Sequence, residues 1–274
     1  PGTDIPGEVV SPTQPIPVLP RPLAPQGLGP EDAWGLTPLD RAACREKIAS
    51  MRHDGVYAPP STRGTVAYPG FVGGMEWGGV AYDPATGLLV TNTNRLAMAS
   101  TLIPRDAAPT AASAEGGKFS LAPQVGTPYG VKREPLLSPL GIPCTPPPWG
   151  MLHAVDLQTG EVAWEVALGS ATDLTKIPVP FELGSPNMGG PLITGGLVFI
   201  GATMDRRIRA FDLVSGDLLW QARLPASAQS TPMTYRARPG GRQFVVVAAG
   251  GHAGMQSSLG DHIVAFALPV EGGR

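Results

Sequence analysis

The sequence predicts an all-β protein, a β-propeller of four-stranded antiparallel blades present here as a partial ring, with one helix near the N-terminus. The main observation is a repeat: residues 154–164 (AVDLQTGEVAW) and 210–220 (AFDLVSGDLLW) share the pattern A-x-D-L-x-[ST]-G-x-x-x-W. Short strand-like segments joined by turns also follow one another from about residue 64 to 268. Finally, Gly (36) and Pro (32) are abundant, while 42% of the 274 residues are hydrophobic and 15% charged, which is typical of many short strands around a core.

Each copy of the repeat is interpreted as a strand, a tight turn and a second strand. The Asp side chain can accept hydrogen bonds from backbone amides of the turn, and the Gly can adopt a positive φ. The Trp offers a large flat surface to a neighbouring unit. Residues 81–90 (AYDPATGLLV) are a weaker copy without the Trp. Because a structural residue must recur in every blade, Asp156, Asp212, Trp164 and Trp220 are predicted to be structural rather than catalytic.

The chain divides by composition into two parts. Residues 1–36 are rich in proline and predict an extended strap with polyproline II character. Residues 37–274 are expected to form the propeller part. Within it, residues 104–150 are rich in Pro and Gly with few strand signals, and predict a long irregular excursion.

One helix is predicted, over residues 37–53. Thr37 can cap it, Pro38 suits the first helical position, and Asp40 can complete a capping box. Apolar residues then recur at helical spacing and should dock the helix on the sheets. They are Leu39, Ala43, Cys44, Ile48 and Met51.

Charge and hydropathy exclude two classes of function. A formal net charge of −2 and few lysines argue against a nucleic-acid-binding protein. The longest apolar stretches, such as 197–200 and 244–249, are far shorter than the ~20 residues that cross a bilayer. No signal peptide is evident, and the proline at position 1 suggests that the chain begins inside a longer protein.

The two cysteines, Cys44 and Cys144, leave two alternatives open. They are either two buried thiols or a single disulfide that closes a long loop. An oxidising compartment would favour the disulfide.

Beyond the repeat, which resembles the tryptophan-docking motif of the quinoprotein alcohol dehydrogenase superfamily, several segments resemble a narrower family. These segments resemble the membrane-bound quinoprotein glucose dehydrogenases and their quinate- and polyol-oxidising relatives, in order along essentially the whole chain. They are WGLTPLDRAACR, YAPPSTRGTVAYPG, GGMEWGGVAYDP, TPYGVKREPLLSPLGIPC, PPWGMLHAVDL, NMGGPLITGGLVFIGAT, LPASAQSTPMTY and FVVVAAGGHAGMQSSLGDHIVAFALP.

The resemblance implies a periplasmic propeller of eight blades, anchored to the inner membrane by N-terminal helices that lie outside this chain. It implies pyrroloquinoline quinone (PQQ) and a divalent metal, Ca or Mg, as cofactors, a sugar or polyol as substrate, and membrane ubiquinone as electron acceptor. The catalytic Asp, a Lys near the quinone and the metal ligands of such proteins lie mainly in the N-terminal half of the propeller. No segment here resembles that half, so no catalytic base is assigned and the chain alone is expected to be inactive.

The segment GGMEWGG (73–79) is the first candidate site. Its glycines would let the backbone approach a planar ligand in a loop just before a strand. The resemblance assigns Glu76, with its neighbour Trp77, as a contact to PQQ. The alternative is a surface Glu beside a Trp that packs between blades.

Two further residues come from the resemblance. Asn92 is expected to donate an amide hydrogen bond to the quinone oxygens, which adds no charge. The alternative is a polar cap at a strand end, and Asn94 could fill either role. His252, in a Gly-rich loop, is expected near the substrate, although a lone loop histidine can equally be an ordinary polar residue.

Two functions from different classes are therefore considered. One is part of a PQQ-dependent dehydrogenase that oxidises an aldose, or alternatively quinate, shikimate or a polyol. The other is a non-enzymatic propeller scaffold, which would need the repeat but not Glu76, Asn92 or His252. Their presence favours the enzyme.

Overall fold

A computed structural model describes residues 2–115, 119–170 and 183–269. The regular structure is nearly all β, as predicted. Besides strands, the described residues contain one α-helix, α1 (Pro38–Ala49), and two short 3₁₀ turns, Pro30–Asp32 and Ala253–Met255. In these described ranges, no helix is both long and apolar enough to span a membrane.

The described residues contain sixteen strands. They are β1 (Thr65–Ala67), β2 (Gly74–Asp83), β3 (Leu88–Asn94), β4 (Met98–Pro104), β5 (Ser113–Glu115), β6 (Phe119–Ala122), β7 (Tyr129–Pro135), β8 (Gly150–Asp156), β9 (Val162–Ala167), β10 (Leu192–Thr194), β11 (Leu197–Ile200), β12 (Arg207–Asp212), β13 (Leu218–Arg223), β14 (Met233–Arg236), β15 (Gln243–Ala249) and β16 (His262–Phe266). The chain separates into two compact units. Unit 1 comprises residues 1–74 and 94–149, and unit 2 comprises residues 75–93 and 150–274.

Unit 1 contains α1 and a five-stranded sheet in the order β1-β4-β7-β6-β5. This corrects the prediction of an irregular excursion over residues 104–150, because β5, β6 and β7 all lie there. Strand β7 pairs antiparallel with β4 along its whole length, from Tyr129 to Pro135. The strands were missed because β5 and β6 are short and lie among prolines and glycines, so their two-residue alternation is weak.

Helix α1 starts as predicted and ends earlier, at Ala49. The Thr37 hydroxyl accepts a hydrogen bond from the Asp40 amide at 3.1 Å, and the Asp40 carboxylate accepts one from the amide of Leu36. The buried stripe is Asp40, Cys44 and Ile48, spaced four residues apart. Leu39, predicted to belong to the stripe, is 84% exposed because it lies on the opposite face of the helix.

The two cysteines form a disulfide in unit 1. Cys44 of α1 bonds to Cys144, 100 residues later, and both side chains are completely buried. The same cluster contains Ile48, Met51 and Leu136. The bond therefore fastens the helix to the segment after β7, which resolves the alternative that the sequence left open.

Unit 2 contains three antiparallel sheets, in the orders β2-β3-β8-β9, β10-β11-β12-β13 and β14-β15-β16. The two copies of the repeat occupy the last two strands of successive sheets. Ala154 lies opposite Trp164 and Ala210 opposite Trp220, and each pairing has an irregularity directly after the Ala. The predicted equivalence of the copies is confirmed. The weaker copy at 81–90 covers the end of β2, the turn and the start of β3, in the sheet that also holds residues 154–164.

The tryptophan of one sheet docks on the turn of the next. Trp164 donates from Nε1 to the carbonyl oxygen of Leu213 at 3.0 Å. Gly216 has φ +77°, and a Cβ there would lie 2.7 Å from the Trp164 ring. The Asp212 carboxylate accepts hydrogen bonds from the amides of Val214 and Ser215 in the same turn. The repeat is therefore a structural device that joins neighbouring sheets, as predicted.

Candidate functional site

The antiparallel order sends the connections of unit 2 to two opposite ends of its sheets. One end, the turn end, carries the tight turns that hold Asp83, Asp156 and Asp212. The other end, the loop end, carries the connections β11–β12, β13–β14 and β15–β16 and the described parts of the connection β9–β10, which are residues 168–170 and 183–191. Binding residues are commonly found on loops held by a rigid scaffold. The loop end is therefore the candidate site.

The predicted site residues belong to this end. Glu76 is the third residue of β2, which starts at the loop end, and it is partly exposed. Asn92 lies near the end of β3, where that strand returns to the same end. His252 lies in the β15–β16 connection. The Trp77 side chain falls outside the described part of the structure.

The segment GGMEWGG is a strand and not the predicted loop, because β2 already begins at Gly74. One of its glycines, Gly78, lets the backbone of β2 approach the backbone at Gly190 closely, because neither residue carries a Cβ. A Cβ on Gly78 would lie 2.4 Å from the Gly190 amide nitrogen, and a Cβ on Gly190 would lie 1.9 Å from the Gly78 carbonyl oxygen. Side chains at these two positions would push apart the first sheet and the segment that precedes β10.

Asn92 is 3% exposed and is part of a buried amide network. Its Nδ2 donates to Asn187 Oδ1 at 2.6 Å and to the Gly189 carbonyl oxygen at 3.0 Å. Asn187, itself completely buried, donates from Nδ2 to the carbonyl oxygens of Thr93 and Ser185. These bonds fix the orientation of both amides and use the NH₂ group of Asn92 as the donor, while its Oδ1 can act only as an acceptor.

His252 precedes the 3₁₀ turn Ala253–Met255, and its backbone amide donates to Ser257 Oγ at 2.8 Å. Its ring atom Nδ1 is buried and has no hydrogen-bond partner in the described part of the chain. An unpaired buried nitrogen is costly, typically about 1–3 kcal/mol, and such atoms often mark the place of a ligand or a water.

Sequence reasoning missed three polar residues of the loop end: Asn187, Ser227 and Gln229. Asn187 precedes β10, while Ser227 and Gln229 precede β14. Ser227 is 1% exposed, and among the described residues neither its Oγ nor Gln229 Nε2 has a partner. The signal available in the sequence was weak: polar side chains occur in short segments that end in proline just before the first strand of a sheet.

A buried ion pair joins Asp205 of the β11–β12 connection to Arg209 of β12. The guanidinium of Arg209 donates to both carboxylate oxygens of Asp205, which also accept from the Thr203 hydroxyl at 2.6 Å and the Ser170 amide at 2.8 Å. Burial would raise the pKa of Asp205, but the hydrogen bonds and the charge of Arg209 hold it below its ordinary value. The carboxylate thus remains ionised and fully engaged, as expected of a structural group.

In the described part of the chain, the loop end thus combines buried polar atoms that lack hydrogen-bond partners with backbone segments held close together by glycines. These atoms are His252 Nδ1, Ser227 Oγ and Gln229 Nε2, and each has the chemistry to hydrogen-bond to a polar ligand. In the described ranges, no group of three or more His, Cys, Asp or Glu side chains could hold a metal ion.

Comparisons with known proteins identify the family. The family model of the β-propeller domain of PQQ-dependent glucose/ethanol/alcohol dehydrogenases matches residues 1–245. The quinoprotein glucose dehydrogenase of Escherichia coli is 43% identical over 274 residues, which cover 96% of this chain and 34% of that protein. Quinoprotein glucose dehydrogenase A of Acinetobacter calcoaceticus is 44% identical, with 98% and 34% covered.

A quinate/shikimate dehydrogenase (quinone) of Acinetobacter baylyi is 42% identical, with 97% of this chain and 34% of that protein covered. The chain thus spans about a third of the length of these relatives. Among solved structures, the quinohemoprotein alcohol dehydrogenase of Comamonas testosteroni is similar in fold, with a TM-score of 0.51 and 24% identity over 78% of this chain and 29% of that one. The chain belongs to the PQQ-dependent glucose/ethanol/alcohol dehydrogenase family and carries part of its β-propeller domain.

Proposed function

We propose that this chain is the C-terminal part of a quinoprotein dehydrogenase that oxidises an aldose of the glucose type with PQQ and passes the electrons to membrane ubiquinone. The observation that carries the proposal is the identity of 43–44% to two glucose dehydrogenases along nearly the whole chain. We place the protein in the periplasm, anchored to the inner membrane through helices outside this chain. The catalytic base and the ligands of a divalent metal, Ca or Mg, would also lie in the remainder of the protein, so this chain alone is expected to be inactive.

In this proposal the loop end of unit 2 forms one wall of the quinone pocket. PQQ, when bound, supplies the two-electron acceptor for oxidation of the alcohol. Glu76 and Trp77 would contact the cofactor, and His252 would hold the substrate through Nδ1, which has no hydrogen-bond partner in the described ranges. Asn92 would position the cofactor. Its amide hydrogens are engaged by Asn187 and Gly189, so Asn92 would contact the cofactor through Oδ1, as an acceptor from a donor group of the cofactor, rather than as the donor to the quinone oxygens that the resemblance implies.

A second candidate is oxidation of quinate, shikimate or a polyol by the same chemistry. It is favoured by the 42% identity to the quinate/shikimate dehydrogenase and the 39% identity to a glycerol dehydrogenase large subunit of Gluconobacter thailandicus. A non-enzymatic scaffold is disfavoured, because a scaffold has no need of buried polar atoms at the loop end that lack a partner among the described residues.

The test is reconstitution of the full-length parent protein with PQQ and Ca²⁺, followed by dye reduction with glucose, quinate and glycerol. We expect turnover that requires PQQ and is fastest with glucose. Faster turnover with quinate or glycerol would favour the second candidate. An absence of PQQ-dependent turnover with all three substrates would refute the dehydrogenase proposal.

The role of Asn92 is tested by Asn92→Ala in the same parent. We expect the dissociation constant of PQQ to rise about tenfold or more, which corresponds to about 1.4 kcal/mol. Fluorescence titration of the apoprotein with PQQ measures it. Asn94→Ala is the matched control, since Asn94 is also a buried amide near the end of β3 but donates to the Val72 carbonyl oxygen in unit 1. Equal PQQ affinity of the wild type and Asn92→Ala would remove Asn92 from the cofactor site.

A further inference from the structure

Gln229 lies in the segment between β13 and β14, at the loop end of unit 2. Its Oε1 accepts a hydrogen bond from the backbone amide of Met188 at 3.1 Å. Because only the oxygen of an amide side chain can accept, this bond fixes the orientation of the group. The NH₂ group must therefore point away from Met188.

That NH₂ group has nothing to bind in the described part of the chain. Gln229 Nε2 is buried and lacks a hydrogen-bond partner there, and the same holds for Ser227 Oγ two residues earlier. Two unsatisfied polar groups two residues apart are uncommon in folded proteins, where the great majority of buried polar atoms are paired. A hydrogen-bonding group other than the described residues is therefore expected to complete them.

Neighbouring contacts connect this segment to both predicted ligand positions. Met188 donates its backbone amide to Gln229. In the sequence it lies between Asn187 and Gly189, which accept the two hydrogen bonds from the Asn92 amide. On the other side, the Ser227 carbonyl oxygen accepts from the amide of Gly251, the residue before His252. The segment from Ser227 to Gln229 therefore lies between the contacts of Asn92 and the loop of His252.

We propose that Gln229 is a specificity-determining residue that donates a hydrogen bond from Nε2 to a hydroxyl oxygen of a polyhydroxylated substrate, with Ser227 in the same subsite. The inference rests on the proposed function. An uncharged amide donor and a hydroxyl match alcohol groups, each of which both donates and accepts. A substrate that lacks the hydroxyl would leave Nε2 buried and unpaired, which is the usual basis of strong discrimination by polar sites.

The decisive variant is Gln229→Glu in the full-length parent loaded with PQQ and Ca²⁺. A glutamate keeps an oxygen for the Met188 amide and replaces only the unpaired donor by an acceptor. We expect the KM for the sugar to rise roughly tenfold at neutral pH, the equivalent of one hydrogen bond. The affinity for PQQ, measured by fluorescence titration, should stay the same.

The pH dependence of this variant separates a substrate contact from a structural role. A protonated glutamate regains a donor, so the KM of Gln229→Glu should return toward the wild-type value as the pH falls from about 8 to about 5. Gln221→Glu, at an exposed position of β13, is the matched control and should leave the KM unchanged. If Gln229→Glu fails to fold, Gln229→Met removes the donor without adding a charge and should raise the KM at every pH.

The outcomes distinguish this inference from the proposed function. An unchanged KM in a folded, PQQ-binding Gln229→Glu or Gln229→Met variant overturns the inference and shows that Nε2 faces only water. A wild-type parent that oxidises no sugar or polyol overturns the proposed function, and the inference with it.

Discussion

Removal of the Cys44–Cys144 bond should lower the free energy of unfolding by about 4–5 kcal/mol. The bond closes a loop of 100 residues, and the loss of chain entropy in the unfolded state grows with loop length. The double variant Cys44→Ser/Cys144→Ser, compared with the wild type in urea by circular dichroism, measures the change. Both sulfurs are buried beside Ile48 and Leu136, so reduction should become effective only when unit 1 opens.

Reductant provides the control for this prediction. Dithiothreitol should shift the urea midpoint of the wild type to that of the double variant and leave the double variant unaffected. Equal midpoints of the oxidised wild type and the double variant would mean that the bond contributes nothing. Free thiols detected in the unreduced protein would contradict the pairing itself.

Asp205→Asn should destabilise unit 2 by about 3–5 kcal/mol at neutral pH, because it leaves the buried guanidinium of Arg209 without its counterion. Asp217→Asn, an exposed carboxylate in the turn after β12, is the matched control and should change little. In a double variant, Asp205→Leu/Arg209→Met, the free energy of unfolding should fall by less than in Asp205→Asn, since no unpaired charge then stays buried. Urea unfolding of the three variants measures these differences.

The Asp205–Arg209 ion pair also predicts how the free energy of unfolding changes in acid. The pKa of Asp205 is lower in the folded than in the unfolded state, so the stabilisation is fully present above the unfolded value of about 3.9. It is lost as the pH falls through the folded pKa, where the carboxylate takes up a proton. The difference in unfolding free energy between the wild type and Asp205→Asn should therefore shrink only in strong acid. A difference independent of pH would show that the charge of Asp205 does not carry the effect.

Local chemistry was sufficient to predict the structural role of the repeat. The Asp, Gly and Trp of residues 154–164 and 210–220 each act within one turn or on the adjacent sheet, so their spacing carries the information. The start of α1 was predictable for the same reason, since a cap and its partner are three residues apart. The end of α1 was not predictable in this way. The strands β5 to β7 were not either, because β5 pairs with β6, β6 with β7 and β7 with β4, and this pairing outweighs weak local preferences.

The candidate site was predictable only in part. Glu76, Asn92 and His252 were assigned through a resemblance, and topology puts them at one end of the sheets, while their proposed roles stay predictions. The engagement of Asn92 by Asn187 depends on residues 95 positions apart, which no local pattern encodes. Gln229 was missed because the local sequence does not show that its Oε1 bonds to a distant backbone amide, or that its Nε2 is buried without a partner in the described ranges.

The sequence by itself determined the type of fold, the repeat that joins one sheet to the next, and the family resemblance, because these depend on spacings within a few tens of residues. Only the tertiary structure decided that Cys44 reaches Cys144, that the glycines of GGMEWGG bring backbones together, and that polar atoms of Ser227, Gln229 and His252 are buried without a hydrogen-bond partner among the described residues. Burial and pairing are properties of surroundings assembled from distant parts of the chain, so they appear only when the chain is folded.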